Sequence, residues 1–140
     1  MSSEIAALVD RIVKISTPSS GDVQRALGVT LQRTETTGDM DYFAGAFGAG
    51  PFDSVDLRIN HASKLGILVL RARATEPTPR SKVPLDGYGQ ASPIVNPHVP
   101  PEGTTSYVFH VKGVELTFQF TTKSENLRLV SFKWPERKGG

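Results

Sequence analysis

The sequence predicts an α+β fold in which N-terminal helices pack on an antiparallel meander sheet of about seven or eight strands. Three observations support this prediction. Apolar residues recur at helical spacing over 5–15, they recur at every second residue over 29–73, and the two-residue period returns over 106–134. Short turn-forming stretches such as TTGD and NHASK separate the period-two runs, which is typical of strands joined as hairpins.

Two helices are expected at the start of the chain. The first presents one apolar stripe, formed by Ile5, Leu8, Val9, Ile12 and Ile15. Ser2 or Ser3 is expected to cap it, and the stretch STPSSG ends it because proline and glycine interrupt helices. The segment DVQRALG predicts a short second helix, with Asp22 near its start and Gly28 in the left-handed cap position.

The period-two runs predict two groups of strands. The first group comprises VTLQRTET, MDYFAGAF, DSVDLRIN and KLGILVLRARA, of which the last is apolar on both faces and is the expected central strand. The second group comprises SYVFHV, VELTFQFT and LRLVSFKW. Lys112-Gly113 predicts a tight hairpin, and a change of phase in the last strand predicts a bulge near Leu129-Val130.

The segment between the two groups, DGYGQASPIVNPHVPPEG, is too rich in proline for a core strand. We expect a short helix over 84–88, since Pro84 suits a first helical turn, and then a loop over 89–106. The segments DVQRALGV and SKVPLDGYGQ each precede a meander, so one interpretation is two half repeats, 22–74 and 81–134. The other is an irregular loop without a repeat. Either way, residues 1–140 are expected to form one domain with a frayed tail over 135–140.

Composition and charge restrict the classes of function. The chain has no cysteine, which excludes disulfides, thiol nucleophiles and thiolate metal sites. Sixteen basic and fourteen acidic residues give a net charge of +2, and the basic residues mostly alternate with apolar ones. This pattern indicates solvated strand faces, so no nucleic-acid partner is expected. No apolar run predicts a secretion signal or a membrane span, so a cytoplasmic protein without a membrane partner is expected.

No motif for catalysis or cofactor binding is evident. The histidines His61, His98 and His110 lack the spacing of metal ligands, so neither a metal nor another cofactor is expected. The glycine-rich stretch AGAFGAGP is not followed by a phosphate-binding helix, and we interpret it as a flexible hairpin connection. The chain is therefore predicted not to be an enzyme, although an acid–base site built from distant residues would leave no motif.

Aromatic and charged residues in and near turns are the predicted contacts to a protein partner. Such residue types are enriched at binding hot spots, and prolines stiffen the loop that carries the histidine. The predicted contacts are Tyr42, Phe43, Tyr88 and His98, with Asp39 and Asp41 as electrostatic guides. The competing interpretations are core packing for the aromatic residues and turn formation for the aspartates.

Four parts of the sequence carry a resemblance: DVQRALG, VDLRIN with LGILVLRA, VPLDGYG, and SYVFHVKGVELTFQF with LRLVSFKW. Their order resembles the β-lactamase inhibitor protein fold and is similar to small cytosolic immunity proteins of bacterial toxin systems. The resemblance implies a non-enzymatic, protein-binding role on a concave sheet. The predicted function is therefore an inhibitory module of the immunity type, which neutralises a cognate bacterial toxin or enzyme.

The alternative function is a cone-shaped α+β protein that binds a small ligand or acts as an enzyme. Such a protein encloses a pocket between its helices and a curved sheet. This alternative requires a deep cavity on which an acid, a histidine or a tyrosine converges, and the candidates are Asp41, Tyr42 and His110.

Overall fold

The computed structural model describes residues 4–135. The predicted caps Ser2 and Ser3 and the predicted tail beyond Pro135 lie outside this range. Two α-helices, two short 3-10 helices (η) and eight strands follow in chain order: α1 Glu4–Val13, α2 Ser20–Leu27, β1 Gln32–Thr37, β2 Met40–Ala46, β3 Phe52–Asn60, β4 Gly66–Ala72, η1 Arg80–Lys82, η2 Leu85–Tyr88, β5 Ser92–Asn96, β6 Thr104–Val111, β7 Val114–Thr121 and β8 Leu127–Trp134.

All eight strands belong to one sheet with the order β1-β2-β3-β4-β8-β7-β6-β5, and every neighbouring pair is antiparallel. The predicted α+β fold, with helices followed by an antiparallel meander sheet, is confirmed. Strands β1–β4 and β5–β8 form two consecutive meanders that join where β4 pairs with β8. The apolar run of β4 therefore lies at the centre of the sheet, as predicted.

Both N-terminal helices follow from their sequence patterns. The buried side of α1 is formed by Ile5, Leu8, Val9, Ile12 and Val13. Helix α2 begins after Ser19, whose side-chain oxygen accepts a 3.1 Å hydrogen bond from the backbone N–H of Asp22. It ends at Gly28, whose φ of 71° lies in the left-handed region, so the predicted cap is confirmed.

The core lies between the helices and one face of the sheet. Its central row crosses four strands in register, from Leu57 through Leu68 and Phe132 to Leu116, and each is fully buried. Trp134 closes one end of this core, and its indole N–H donates a 2.7 Å hydrogen bond to the carbonyl of Ile15. The last strand is thereby tied to the segment that follows the first helix.

The proline-rich segment departs from its prediction. The expected short helix is present as η2, but the expected loop over 89–106 was wrong, because it contains β5 and the start of β6. Strand β5 is an edge strand that pairs only with β6. An edge strand tolerates Pro93, since the missing N–H of a proline costs nothing on the side that has no neighbouring strand.

The predicted irregularities of the second meander are present. Lys112 and Gly113 have φ values of 52° and 82°, as a tight two-residue hairpin requires. In β8 the extra residue is Arg128, because Gln119 and Phe120 of β7 pair with Leu129 and Leu127. The bulge lies one residue before its predicted place, and it returns the buried side chains of β8 to the core.

The glycine-rich connection between β2 and β3 is held by Arg73. The guanidinium group donates hydrogen bonds to the carbonyls of Gly50, Phe47 and Phe52, at 3.1, 2.9 and 3.0 Å. It also approaches the carboxylate of Asp53 at 3.4 Å. The connection was predicted to be flexible, but these contacts give its backbone a fixed anchor.

Candidate protein-binding surface

The sheet has one face covered by helices and one face that carries none within residues 4–135. Along β7, side chains on the helix side are buried and those on the other side are half-buried. The same holds in the central strand β4, where Leu68 is fully buried while Ile67 and Val69 stay outside the core. We call the uncovered side the open face.

Tyr42 and Arg58 stand opposite each other on the open face, on β2 and β3. The guanidinium carbon of Arg58 lies 5.4 Å from the centre of the Tyr42 ring, which is a cation–π distance. Tyr42 was a predicted partner contact, and the structure places it half-buried beside an exposed arginine. Tyrosine and arginine are among the residues most enriched at binding hot spots.

The neighbouring residue, Phe43, points to the opposite face, because successive side chains of a strand alternate. It packs against the core and lines a groove of about 450 Å³ at the helix side of the sheet. The groove is also bordered by Pro18, Asp41 and His61. The competing interpretation of the predicted aromatic contacts was core packing. It therefore applies to the part of Phe43 that contacts the core, while another part of the side chain lines the groove.

Asp39 and Asp41 meet His61 at the end of the sheet where the β1–β2 and β3–β4 turns lie side by side. The Nδ1 atom of His61 lies 3.2 Å from Oδ2 of Asp41, and its Nε2 atom lies 3.5 Å from Oδ1 of Asp39. Thr36 donates a 2.8 Å hydrogen bond to Asp41. This hydrogen bond and the nearby His61 lower the pKa of Asp41, against the effect of desolvation. Both aspartates are thus engaged within the chain.

Tyr88 lies beneath the sheet rather than at the tip of a loop. Its ring centre lies 5.8 Å from that of Phe109 and 5.7 Å from that of Phe118, so η2 directs the ring towards the core. Burial raises the pKa of Tyr88 to about 12. The competing interpretation of this residue, core packing, fits the position better than a partner contact does.

His98 is exposed in the connection between β5 and β6. Glu102 fixes this connection, because its carboxylate accepts hydrogen bonds from the backbone N–H groups of Lys123 and Ser124, at 2.7 and 2.6 Å. The Ser124 contact is the main reason why the pKa of Glu102 is lowered. The sheet register places His98 at the opposite end of the strands from the cluster of Asp39, Asp41 and His61.

The six predicted contact residues therefore do not form one continuous surface. Tyr42 lies on the open face, Tyr88 lies in the layer between the helices and the sheet, and His98 lies at a far corner. Asp39, Asp41 and Phe43 lie around the groove on the helix side. Sequence reasoning missed Arg58 and His61, although the alternation of β3 and the pairing of adjacent hairpin turns could have indicated them.

The residues proposed for an enclosed active site do not converge. Asp41 and Tyr42 point to opposite faces of β2, and His110 lies on β6, five strands further along the sheet. At about 4.8 Å per strand this separation is roughly 24 Å. Within residues 4–135, no three histidine, aspartate or glutamate side chains are placed to hold a metal ion.

Comparison of the chain with protein-family models, with curated proteins and with solved structures finds no match. Among residues 4–135, neither α-helix has the length and apolar character needed to cross a membrane.

Proposed function

We propose that this chain is a non-catalytic protein-binding module, an inhibitor of the immunity type that neutralises a cognate bacterial toxin or enzyme in the cytoplasm. The observation that carries the proposal is the open face with the Tyr42–Arg58 stack. A broad sheet surface with an exposed arginine over a tyrosine suits a protein partner better than a small molecule, because small ligands need concave, enclosing sites.

The size of the open face is sufficient for a specific complex. Eight strands at about 4.8 Å spacing, each contributing about six residues of about 3.3 Å, give an area of roughly 34 by 20 Å, or about 700 Å². A specific interface of standard size buries roughly 600–1,000 Å² on each partner, and the area of the open face lies within this range. One partner could therefore cover the open face without contacting the helices.

Two half repeats, 22–74 and 81–134, are part of this proposal. The register supports them, because Phe43, Leu57 and Leu68 align across the first meander as Tyr107, Phe118 and Val130 align across the second. The segments before the meanders also correspond: a buried valine (Val23, Val83) precedes a glycine with positive φ (Gly28, Gly89) in each. Because the second half repeat continues the sheet of the first, the sheet is twice as wide, and the open face reaches the area given above.

Of the predicted contacts, Tyr42 is the one that this proposal places at the centre of the interface. Asp41 and Phe43 border the groove on the other side of the sheet, Asp39 lies next to it beside His61, and His98 lies at a corner. These residues would contact only a partner that extends beyond the open face. Tyr88 can be reached only at the exposed part of its ring.

Affinity capture from the native host tests the proposal, with attention to the product of the adjacent gene. The captured protein is then expressed with the chain, and the growth of the cells or the activity of the captured enzyme is measured. We expect Arg58→Ala to weaken binding by about 1–2 kcal/mol, which is the loss typical of a hot-spot residue.

Arg80→Ala is the matched control, because Arg80 also stacks on a tyrosine, at 4.8 Å from the centre of the Tyr107 ring. That stack lies on the helix side of the sheet, so this variant should bind like the wild type. Recovery of no protein partner, together with turnover or tight binding of a small molecule, would contradict the proposed function and favour the ligand-binding alternative.

A further inference from the structure

Side chains of the open face form three parallel rows that run across the strands. The middle row consists of small or short side chains in register from β2 to β6: Ala44, Asp56, Val69, Ser131, Thr117 and Val108. Longer side chains flank it, with Tyr42, Arg58, Ile67, Lys133, Glu115 and His110 on one side. On the other side, Arg71, Leu129 and Gln119 stand on the central strands β4, β8 and β7, and the small residues Ala46, Ser54 and Ser106 continue the row beyond them. The middle row is therefore the floor of a trough, with one wall from β2 to β6 and a shorter second wall on β4, β8 and β7.

The dimensions of the trough match one α-helix. Adjacent rows lie two residues apart along a strand, so the two walls are about 13 Å apart between backbones, and a helix with its side chains is about 10–12 Å wide. From β2 to β6 the floor extends over about 24 Å, which corresponds to about 16 helical residues. A helix in this position would cross the strands rather than follow them.

The charges on the trough are mainly positive. The open face carries the cations Arg58, Arg71, Arg128 and Lys133, against the carboxylates Asp56 and Glu115 and, on the edge strand β1, Glu35. Arg71 is paired with Asp56. Within residues 4–135, the other arginines that form ion pairs are Arg25, Arg73 and Arg80. Arg58 and Arg128 are not among them, so their charges remain available to a partner.

The available cations stand on both walls of the trough. Arg58 and Lys133 belong to the first wall and are exposed, and Glu115 is the register partner of Lys133. Arg128 lies at the second wall, where it donates a hydrogen bond to Gln119. An occupant with carboxylates along both flanks and small apolar residues between them would complement these charges and the aliphatic floor at Val69 and Val108.

We propose that this trough receives an acidic, amphipathic α-helix of the partner protein, lying across the strands. This inference rests on the proposed protein-binding function and names the chemistry of the partner segment. The apolar seam of the helix contacts Ala44, Val69 and Val108, and its glutamate or aspartate side chains reach Arg58, Lys133 and Arg128.

A synthetic helix is a direct probe. One 16-residue peptide carries an alanine and leucine seam flanked by glutamates, and a second peptide carries lysines in place of the glutamates. Backbone amide signals of the chain are followed by NMR during titration. We expect the glutamate peptide to shift the signals of Val69, Thr117 and Ser131 and to bind at least tenfold more tightly than the lysine peptide. Equal binding of the two peptides, no binding, or shifts at another surface would overturn the inference.

Two variants examine the trough further, and each has a control on η1. Ser131→Tyr fills the floor, and Lys133→Glu reverses a charge on the wall, so each should weaken the glutamate peptide at least tenfold. The controls are Ser81→Tyr and Lys82→Glu, which make the same changes at exposed positions on the helix side. Thermal unfolding of all four proteins shows whether each one folds.

The same variants separate this inference from the proposed function. If a host partner binds the wild type and binds Ser131→Tyr and Lys133→Glu equally well, the trough is not its site, while the protein-binding function stands. If no host partner is found and the chain turns over or tightly binds a small molecule, the proposed function fails, and the peptide titration still decides whether the trough accepts an acidic helix.

Discussion

Replacing Arg73 by methionine is expected to lower the free energy of unfolding by about 3 kcal/mol, at about 1 kcal/mol for each of three hydrogen bonds. The guanidinium group is the partner of the carbonyls of Phe47, Gly50 and Phe52, and the Arg73 side chain is only 20% exposed. Methionine preserves much of the side-chain volume but leaves the three carbonyls without this donor. The glycine-rich connection would then lose its anchor.

Arg71→Met is the matched control, two residues away. Arg71 is 52% exposed and pairs with Asp56 on the open face. Because an exposed ion pair contributes only about 0.2–1 kcal/mol, the stability of this variant should remain close to that of the wild type. Urea unfolding, followed by circular dichroism and by the fluorescence of Trp134, measures both variants. If Arg73→Met lost less than about 1 kcal/mol, or no more than Arg71→Met, the connection would not depend on its hydrogen bonds.

Three further predictions concern pH and packing. Since the pKa of Tyr88 is raised to about 12, its contribution to stability should be complete below pH 10 and decline as the pH rises towards 12; Tyr88→Phe should reduce this decline in unfolding experiments. The pKa of Glu102 is lowered from its ordinary value of 4.5, so its contribution to the free energy of unfolding should be present above that pH and decline as the pH falls through the lowered pKa. Glu102→Gln should therefore make the stability depend less on pH in the acid range. Gly66→Ala should destabilise the fold by about 1–3 kcal/mol, because a Cβ atom there would lie 2.5 Å from Pro18; Gly48→Ala meets no atom within 4 Å and should unfold like the wild type.

The elements that bury one face could be predicted from the sequence. The stripe of α1 and the alternation of Val55, Leu57 and Ile59 in β3 follow directly from contact with a single core. Strand β5 was missed because prolines interrupt its sequence. An edge strand needs backbone partners on one side only, so Pro93 is compatible with this strand although proline interrupts strands that have two neighbours.

The candidate site was less accessible from the sequence, because it depends on contacts between distant residues. Tyr42 and Phe43 are adjacent, and strand geometry requires that only one of them faces the open side. Tyr88 belongs to DGYG, which has the composition of an exposed turn, but the 3-10 helix rotates its ring towards Phe109 and Phe118. The contact of His61 with Asp41 spans 20 residues and required the pairing of two hairpins to be known.

The hydrogen bond from Trp134 to Ile15 spans 119 residues and has a consequence for biosynthesis. The first helix leaves the ribosome before β8, and β8 completes both the centre of the sheet and the end of the core beside that helix. Until β8 emerges, the growing chain exposes the apolar edge of β4, and such a surface is open to chaperones and proteases. A ribosome-bound chain that stops before β8 should therefore be cleaved along its length, whereas one in which β8 has emerged should resist the protease. Protease resistance of the shorter chain would show that the chain folds during translation without β8.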